Sequence, residues 1–430
     1  MPACKIVFIG GGSFHWGPGI IRDFIVSSDL GGSTLVLQDI DHEAAETNRI
    51  IAEHLRAQAG ADLNVEVVDD RRAALRDADY VVVAIAVGGL EAWRLDMEIP
   101  DKYGVRQTIA DTVGPGGLSR GLRNIPVMLE IAKDMEAVCP EAWLVNVTNP
   151  MTTLTRSVWR ETGIRCIGLC HEVFHCLHDL EPILGASSDE IRFNAAGINH
   201  CVWMMELNVR GEDGIEIVRR HWQEEGRPKD TVAPLLLEIF GALPVWQGRH
   251  LSEFFPHFLT PASGYGEKYG FLDQMVTVED RYASRKKGYE HWLEMREGKR
   301  LPELKRGDEP VVPVIIALKG GPSVTFMVNW PNGGQISNFP RDVVVETKAV
   351  VDRRGVSPIC AGDLPLGIHG ALMRHVDNQE LIVEAALKGD CRLALQAMFN
   401  DPLVTNVENA HTILDELLAA HAEHLPQFSR

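Results

Sequence analysis

The stretch "GLCHEVFH" at residues 168–175 brings together a thiol, two imidazoles and a carboxylate, in Cys170, His171, Glu172 and His175, at the end of the apolar run "IRCIG". "GINHC", ending at residue 201, adds His200 and a further cysteine. Thiolates and imidazoles are ligands for transition ions. A closed structural site would need four ligands, and Cys170, His175, Cys176 and His178 supply the right types. Their spacing is irregular, however, and "CLHDLEPIL" reads as an ordinary helix. Cys170 and His200 alone would leave coordination positions open to substrate oxygens, an arrangement suited to Lewis-acid catalysis.

An anion cradle precedes this cluster. "KIVFIGGGSFHWGPG" puts glycines after an apolar run, where bare backbone can approach a diphosphate and the next helix can present its first amides. Gly10, Gly12 and Ser13 are the contact candidates, with His15 where the G-x-G-x-x-G pattern has its third glycine. Asp39, at the end of the next apolar run, is placed to bind a ribose diol and repel a 2′-phosphate, which favours NAD over NADP. "DTVGPGGLSRGLRNIP" reads as a shaped Gly-Pro-Gly-Gly loop offering Asp111, Arg120 and Arg123 for substrate or acid/base work. "VNVTNP" ends another apolar run in Asn146 and Asn149. Their amides both donate and accept, which suits sugar hydroxyls or the nicotinamide ribose, and Asn146 is assigned to the cofactor.

These groups need a scaffold. Apolar runs at 5–10, 33–40, 78–89, 142–150 and 164–171, and an alternating stretch at 63–70, are interleaved with helical stretches such as "DHEAAETNRIIAEHLRAQAG". Such alternation predicts a doubly wound, Rossmann-type parallel sheet covered on both faces. In the second half, residues 192–209 read as a strand pair, and "TVAPLLLEIFGALP" and "NQELIVEAALKGDCRLALQAMF" as amphipathic helices. Residues 312–351 read as antiparallel strands with Gly/Asn/Pro turns, and 298–310 as a mobile surface loop. The expected fold class is α/β: an NAD-binding domain over 1–195, then a mixed α+β substrate- and metal-binding domain over 196–430.

The chain has 430 residues and a net charge of −18. That charge argues against nucleic acid or an anionic membrane as partner and leaves a small-molecule substrate. No apolar run reaches the ~20 residues of a membrane span, and the first residues show no secretory leader. Eight cysteines in a chain this long, some inside apolar runs, read as the reduced thiols of a cytoplasmic protein.

Taken together, "FIGGGS", "DTVGPGGLSRGLRNIP", "NVTNPM", "GLCH", "GINH" and "NGGQISNFPRDVVVE" resemble, in order and along almost the whole chain, family 4 of the glycoside hydrolases. These are glycosidases that depend on NAD and a divalent metal. The tetrad Cys170-His171-Glu172-Val173 is similar to that of the α-galacturonidase branch, and His171 speaks against a 6-phosphosugar. The resemblance implies a lactate/malate dehydrogenase-like fold and a homodimer or homotetramer. It implies transient oxidation at the sugar's C3, loss of the C2 proton, elimination of the leaving group, and water addition. It further implies Cys170 and His200 as ligands of a divalent ion, Mn²⁺ foremost, and Asn149 as a substrate contact. Asp111 or His171 would protonate the leaving group. Glu253 would be the C2 base, with Tyr265 in reserve, and Arg281 would clamp a uronate carboxylate. The substrate is then an α-glycoside of a uronic acid, galacturonate first. The alternatives are a neutral α-glucosidase or α-galactosidase, an α-glucuronidase, and, outside the family, an NAD-dependent 2-hydroxyacid dehydrogenase or a non-catalytic NAD-binding regulator.

Overall fold

The computed structural model describes residues 2–428 apart from 246, 247, 273, 274 and 276. In chain order its strands are β1 Lys5–Ile9, β2 Ser33–Gln38, β3 Leu63–Val67, β4 Tyr80–Val83, β5 Trp143–Asn146, β6 Arg165–Gly168, β7 Ile191–Ile198, β8 Cys201–Val209, β9 Glu212–Asp213, β10 Leu243–Pro244, β11 Val324–Pro331, β12 Val344–Asp352 and β13 Gly355–Pro358. The helices are α1 Gly17–Ile25, α2 His42–Ala59, α3 Arg71–Leu75, α4 Gly89–Asp101, α5 Gly114–Val138, α6 Met151–Glu161, α7 Glu172–Leu184, α8 Gly214–Glu224, α9 Val232–Phe240, α10 Gly248–Phe254, α11 Val278–Arg296, α12 Val311–Lys319, α13 Leu366–Lys388, α14 Cys391–Asn400 and α15 Val407–Ala420.

The six strand-like stretches of the first half become β1 to β6. They are parallel and ordered 3-2-1-4-5-6, the doubly wound arrangement. β1, β2, β4, β5 and β6 are buried almost throughout because helices cover both faces of the sheet, whereas the edge strand β3 alternates buried and exposed residues. α2 forms where its ends are signalled: Asp41 accepts from the Ala44 N–H at 3.0 Å, and Gly60 ends the helix at φ +61°.

The two expected domains are not separate layers. β6 pairs antiparallel with β11 at Asn329↔Gly168, and β12, β7, β8 and β10 continue outward from there in the same sheet. A boundary after residue 195 would cut β7, and one apolar core contains Val7 and Leu144 together with Trp203, Leu372 and Ile413.

Three other readings change. Residues 312–319, expected to be strand, belong to the buried helix α12. An apolar run of this length does not by itself distinguish strand from buried helix. The predicted C-terminal helix is two, α13 and α14, broken at Gly389 with φ +61°. Gly-Pro-Gly-Gly is not a loop but the first turn of α5. A Cβ on Gly117 would lie 2.4 Å from the Thr112 carbonyl carbon, so glycine lets the Asp111 segment rest on the helix start. Among the described residues no helix is long and apolar enough to cross a membrane.

Arg123, a candidate for substrate binding, is used inside the fold. Its Nη1 and Nη2 hold the two oxygens of Asp96 at 3.0 and 2.6 Å, and His421 Nε2 meets Asp96 from the C-terminal side at 3.0 Å. The group is sealed from solvent and ties α4, α5 and the end of the chain together. Removing one member of such a buried pair strands the other charge. Arg123→Ala should therefore lower unfolding stability by about 3–5 kcal/mol in denaturant titration.

Candidate functional site

A cavity of about 1470 Å³ opens at the carboxyl ends of β1, β2, β4, β5 and β6, where open α/β sheets bind ligands. One end is a cradle of glycines at the carboxyl end of β1. Gly10 has φ +88°, and a Cβ there would lie 2.1 Å from the Ala84 carbonyl oxygen. Asp39 accepts the Gly12 N–H at 2.8 Å and the Asp41 N–H at 3.0 Å, which fixes its carboxylate at the rim. Gly10, Gly12, Ser13 and Asp39 all line the cavity.

Asn146 does not reach it. Its Oδ1 accepts the Thr148 N–H at 2.9 Å, and its Nδ2 is surrounded by Thr148 O, Met151 O and Thr155 Oγ1 at 3.3–3.4 Å. A fully buried amide with its capacity spent inside shapes the turn that leads to the cis Asn149–Pro150 bond. The expected cofactor contact is corrected to this internal role.

At the other end Asp111, Asn149, Cys170, Glu172, His200 and His250 converge. Ligand atoms of Cys170, Glu172 and His200 lie within 4.8 Å of one another, as do those of Asp111, His200 and His250. His200, the shared member, occupies the tight turn between β7 and β8 at φ +66°, a backbone region costly for a non-glycine residue. Thr112 Oγ1 donates to Asp111 Oδ1 at 2.6 Å and lies 2.8 Å from His200 Nδ1. With the hydroxyl proton committed to Asp111, Nδ1 donates to Thr112, and the Nε2 lone pair is left for a ligand. Asn149 Nδ2 donates to Asp111 Oδ2 at 3.1 Å. Asn149 Oδ1, Glu172 Oε1 and His250 Nδ1 are buried without a hydrogen-bond partner among the described residues. Three stranded polar atoms around one thiol and one imidazole mark a place made for a polar occupant.

The electrostatics agree. Burial, then Glu346 and Glu172, push the Cys170 thiol up. Burial and Glu346 push Glu172 up. Burial would also raise Asp111, but His250, His200 and Arg120 outweigh it and hold that carboxyl below the usual range. Behind the thiol, Asn199 and Asn329 donate to Glu346 Oε2 at 3.0 and 3.2 Å.

The wall carries cations. Arg120 donates to the Asn149 carbonyl at 2.8 Å. Arg281 lies over the Trp93 ring at 5.0 Å, and its buried Nε has no partner among the described residues. Trp93 is itself held by Nε1 donating to the Ile109 carbonyl at 2.7 Å. His171 faces the cavity beside Trp16, and its Nδ1 lies 2.9 Å from Glu309 Oε1. Glu309 belongs to the 298–310 stretch, expected to be only a surface loop.

Glu253 and Tyr265, the expected C2 bases, are both absent from the cavity wall. Tyr265 stacks under Arg106, 4.7 Å from ring centre to guanidinium. Glu253 is buried, and its Oε1 accepts the N–H groups of Thr108, Ile109 and Ala110 at 2.7, 2.8 and 2.9 Å. It clamps the backbone leading into Asp111, where Ala110 is held at φ +58°. Two further residues join the site: Glu172, the carboxylate of the "GLCHEVFH" cluster, which had no role of its own in the sequence, and His250, one turn before Glu253. Nothing in the spacing set His250 apart from other histidines.

Burial raises Glu253 to about 7 from an ordinary 4.5, against the pull of those three amides. The protonated acid therefore favours folding. That contribution is complete below pH 4.5 and is lost as pH rises through 7. Glu253→Gln, neutral throughout, should flatten the stability–pH curve across this window, by on the order of 3 kcal/mol. Thermal midpoints measured at a series of pH values test this, and parallel curves for both proteins would refute it.

Residues 5–186 match the family 4 glycosyl hydrolase model, and residues 195–404 match the model of that family's C-terminal domain. An α-galactosidase of Bacillus subtilis is 36% identical over 99% of each chain. An α-galacturonidase of the same organism is 36% identical over 93% of each. The crystal structure of a putative glucosidase from Bacillus subtilis superposes with a TM-score of 0.90 at 34% identity, over 97% of this chain and 100% of that one. A 6-phospho-α-glucosidase from gut microorganisms, solved with NAD and Mn²⁺, shares the fold at 22% identity and a TM-score of 0.86, over 99% and 100% of the two chains. The chain belongs to family 4 of the glycosyl hydrolases.

Proposed function

We propose that this protein hydrolyses α-linked glycosides of a uronic acid, galacturonate foremost, with NAD and a divalent cation, Mn²⁺ first among them. Relatives with equal identity divide between α-galactosidase and α-galacturonidase, so the substrate is argued from the cavity. The observation that carries it is Arg281, a guanidinium laid over Trp93 with its Nε unpartnered among the described residues. Such a fork suits the C6 carboxylate of a uronate.

The residues fit both cofactors. The glycine loop and Asp39 suit a dinucleotide, and Cys170, His200 and Glu172, with the stranded atoms around them, suit a cation that also binds sugar oxygens. When bound, NAD supplies reversible oxidation at a sugar carbon, and the cation supplies polarisation of the adjoining oxygens. The protein's own groups do the rest. Cys170 Sγ and Glu172 give up protons on ligation. His200 presents Nε2 because Thr112 holds Nδ1. Asn149 Oδ1 accepts a sugar hydroxyl.

With Glu253 spent on the 108–110 backbone, we assign the C2 proton to His250. Its Nδ1 is unpartnered among the described residues, and the Asp111 carboxylate lies close enough to stabilise the imidazolium formed. Asp111 is held ionised, so it accepts more readily than it donates. That leaves His171, oriented by Glu309, to protonate the leaving oxygen.

Cys170→Ser and His200→Ala should abolish hydrolysis and weaken Mn²⁺ binding by roughly a hundredfold or more, with NAD affinity and thermal midpoint unchanged. Full activity in chelator-treated protein would refute the metal reading. For the substrate, the measurement is kcat/KM for an α-galacturonide against the matching α-galactoside. The ratio should be well above one, and Arg281→Lys should reduce it by roughly ten- to a hundredfold. A ratio near one in the parent enzyme would return it to the neutral glycosidases. A high ratio unchanged by Arg281→Lys would move the carboxylate clamp to another residue.

A further inference from the structure

Helix α11 lacks the apolar stripe that usually docks a helix: charged residues run all round it, and only Trp292 and Met295 are buried. Such a helix needs another reason to lie against the molecule. Its inner stripe supplies one. Arg281, Arg285, Tyr289, Trp292 and Arg296 follow at helical spacing, and all line the cavity. The stripe is about 22 Å long at 1.5 Å per residue. Arg281 lies over Trp93, within the field of Asp111. At the far end Arg296 acts on Glu46 of α2, the helix that follows Asp39. The helix therefore spans the groove from the sugar end to the ribose end.

Its middle turns engage the glycine loop from two sides. In front, the Arg285 guanidinium lies 5.4 Å from the ring centre of Phe14, the residue after Ser13, and Tyr289 meets the same ring edge-on at 5.8 Å. Arg285 is half-buried and has no carboxylate partner among the described residues. The charge that bears on it is another cation, Arg120. Behind the loop, Trp292 Nε1 donates to Asn48 Oδ1 at 2.7 Å, and Asn48 Nδ2 donates to the carbonyls of Gly11 and Ser13 at 2.7 and 3.1 Å. In a trans peptide the C=O and the following N–H point opposite ways. Holding these two carbonyls back therefore turns the N–H groups of Gly12 and Phe14 away from Asn48, and that of Gly12 meets Asp39.

We propose that α11 is a working part of the dinucleotide site: Arg285 meets the cofactor's diphosphate across the groove from the glycine loop, and Trp292, acting through Asn48, sets the orientation of the loop peptides. The proposal rests on the NAD reading above. It makes cofactor affinity depend on the second half of the chain, with Arg285 as a binding residue and Trp292 as a positioning residue.

The test is calorimetric titration of NAD, ADP, adenosine and galacturonate into Mn²⁺-loaded protein. Arg285→Ala should weaken NAD and ADP by roughly ten- to a hundredfold and leave adenosine and galacturonate unchanged, with Arg285→Lys recovering part of the loss. Trp292→Phe keeps the ring and removes only the N–H. It should weaken NAD by roughly three- to tenfold with Mn²⁺ affinity intact. Should Trp292→Phe not fold, Asn48→Asp serves instead, since it keeps the acceptor and loses both donors to the loop. Unchanged NAD affinity in Arg285→Ala, or a loss confined to galacturonate, would overturn the diphosphate role. A lower thermal midpoint at unchanged NAD affinity in Trp292→Phe would overturn the positioning role. Wild-type protein that binds neither NAD nor ADP would sink the cofactor reading itself, and this proposal with it.

Discussion

The backbone pairing of Gly168 with Asn329 is the join on which the site depends. It fuses the antiparallel strands of the second half to the parallel sheet of the first, two residues before Cys170. A Cβ on Gly168 would sit 2.7 Å from Thr155 Oγ1 and 2.8 Å from the Asn329 Cβ, so only glycine allows this approach. Cys170 leaves the last parallel strand and His200 sits in the β7–β8 turn, yet one hydrogen-bonded sheet holds them in register. The buried Glu346–Asn199–Asn329 group spans the same seam. A glycosidase that works with NAD and a divalent metal benefits from this rigidity, because a small misplacement of reacting groups is costly.

Charge is arranged against the average. The chain as a whole is strongly acidic, yet the cavity wall gathers Arg120, Arg249, Arg281 and Arg285. The acids that do reach the floor, Asp111 and Glu172, stand next to His200. Local placement therefore gives an anionic dinucleotide a favourable path into a molecule that repels anions at long range. The same wall explains why Arg120 and Arg281 both find it harder to stay charged than an exposed arginine: each is buried, and each feels another guanidinium.

What the sequence revealed and what it hid have physical causes. Strands β1, β2, β4, β5 and β6 were legible because burial on both faces writes a largely apolar run, and β3, at the edge, because one buried face writes an alternation. The motif residues Gly10, Asp39, Asn149 and Cys170 came together because each follows such a run at the same edge of the sheet. α12 was misread because burial on all sides erases periodicity. Asn146, Glu253 and Arg123 carry the right functional groups in suggestive places, but each finds its partners inside the protein. Sequence shows that a polar group is present, not that a backbone amide or a buried aspartate has already claimed it. Tyr265 sits among glycines whose conformations set its direction. His250 and Arg285 come from helices distant in sequence, and only the folded sheet and α11 bring them to the cavity.

The seam also has a consequence for how the chain is made. Synthesis is vectorial, and strands β1 to β6 can assemble as soon as they emerge, whereas β11, which covers the outer edge of β6, is made much later. At 5–20 residues per second the interval is roughly 10 to 30 s. Throughout it the nascent half-protein displays an open strand edge beside an unpaired thiol, the kind of edge that recruits other chains. The strand that joins the two halves of the sheet is thus also the one that ends the most aggregation-prone stage of the protein's biogenesis.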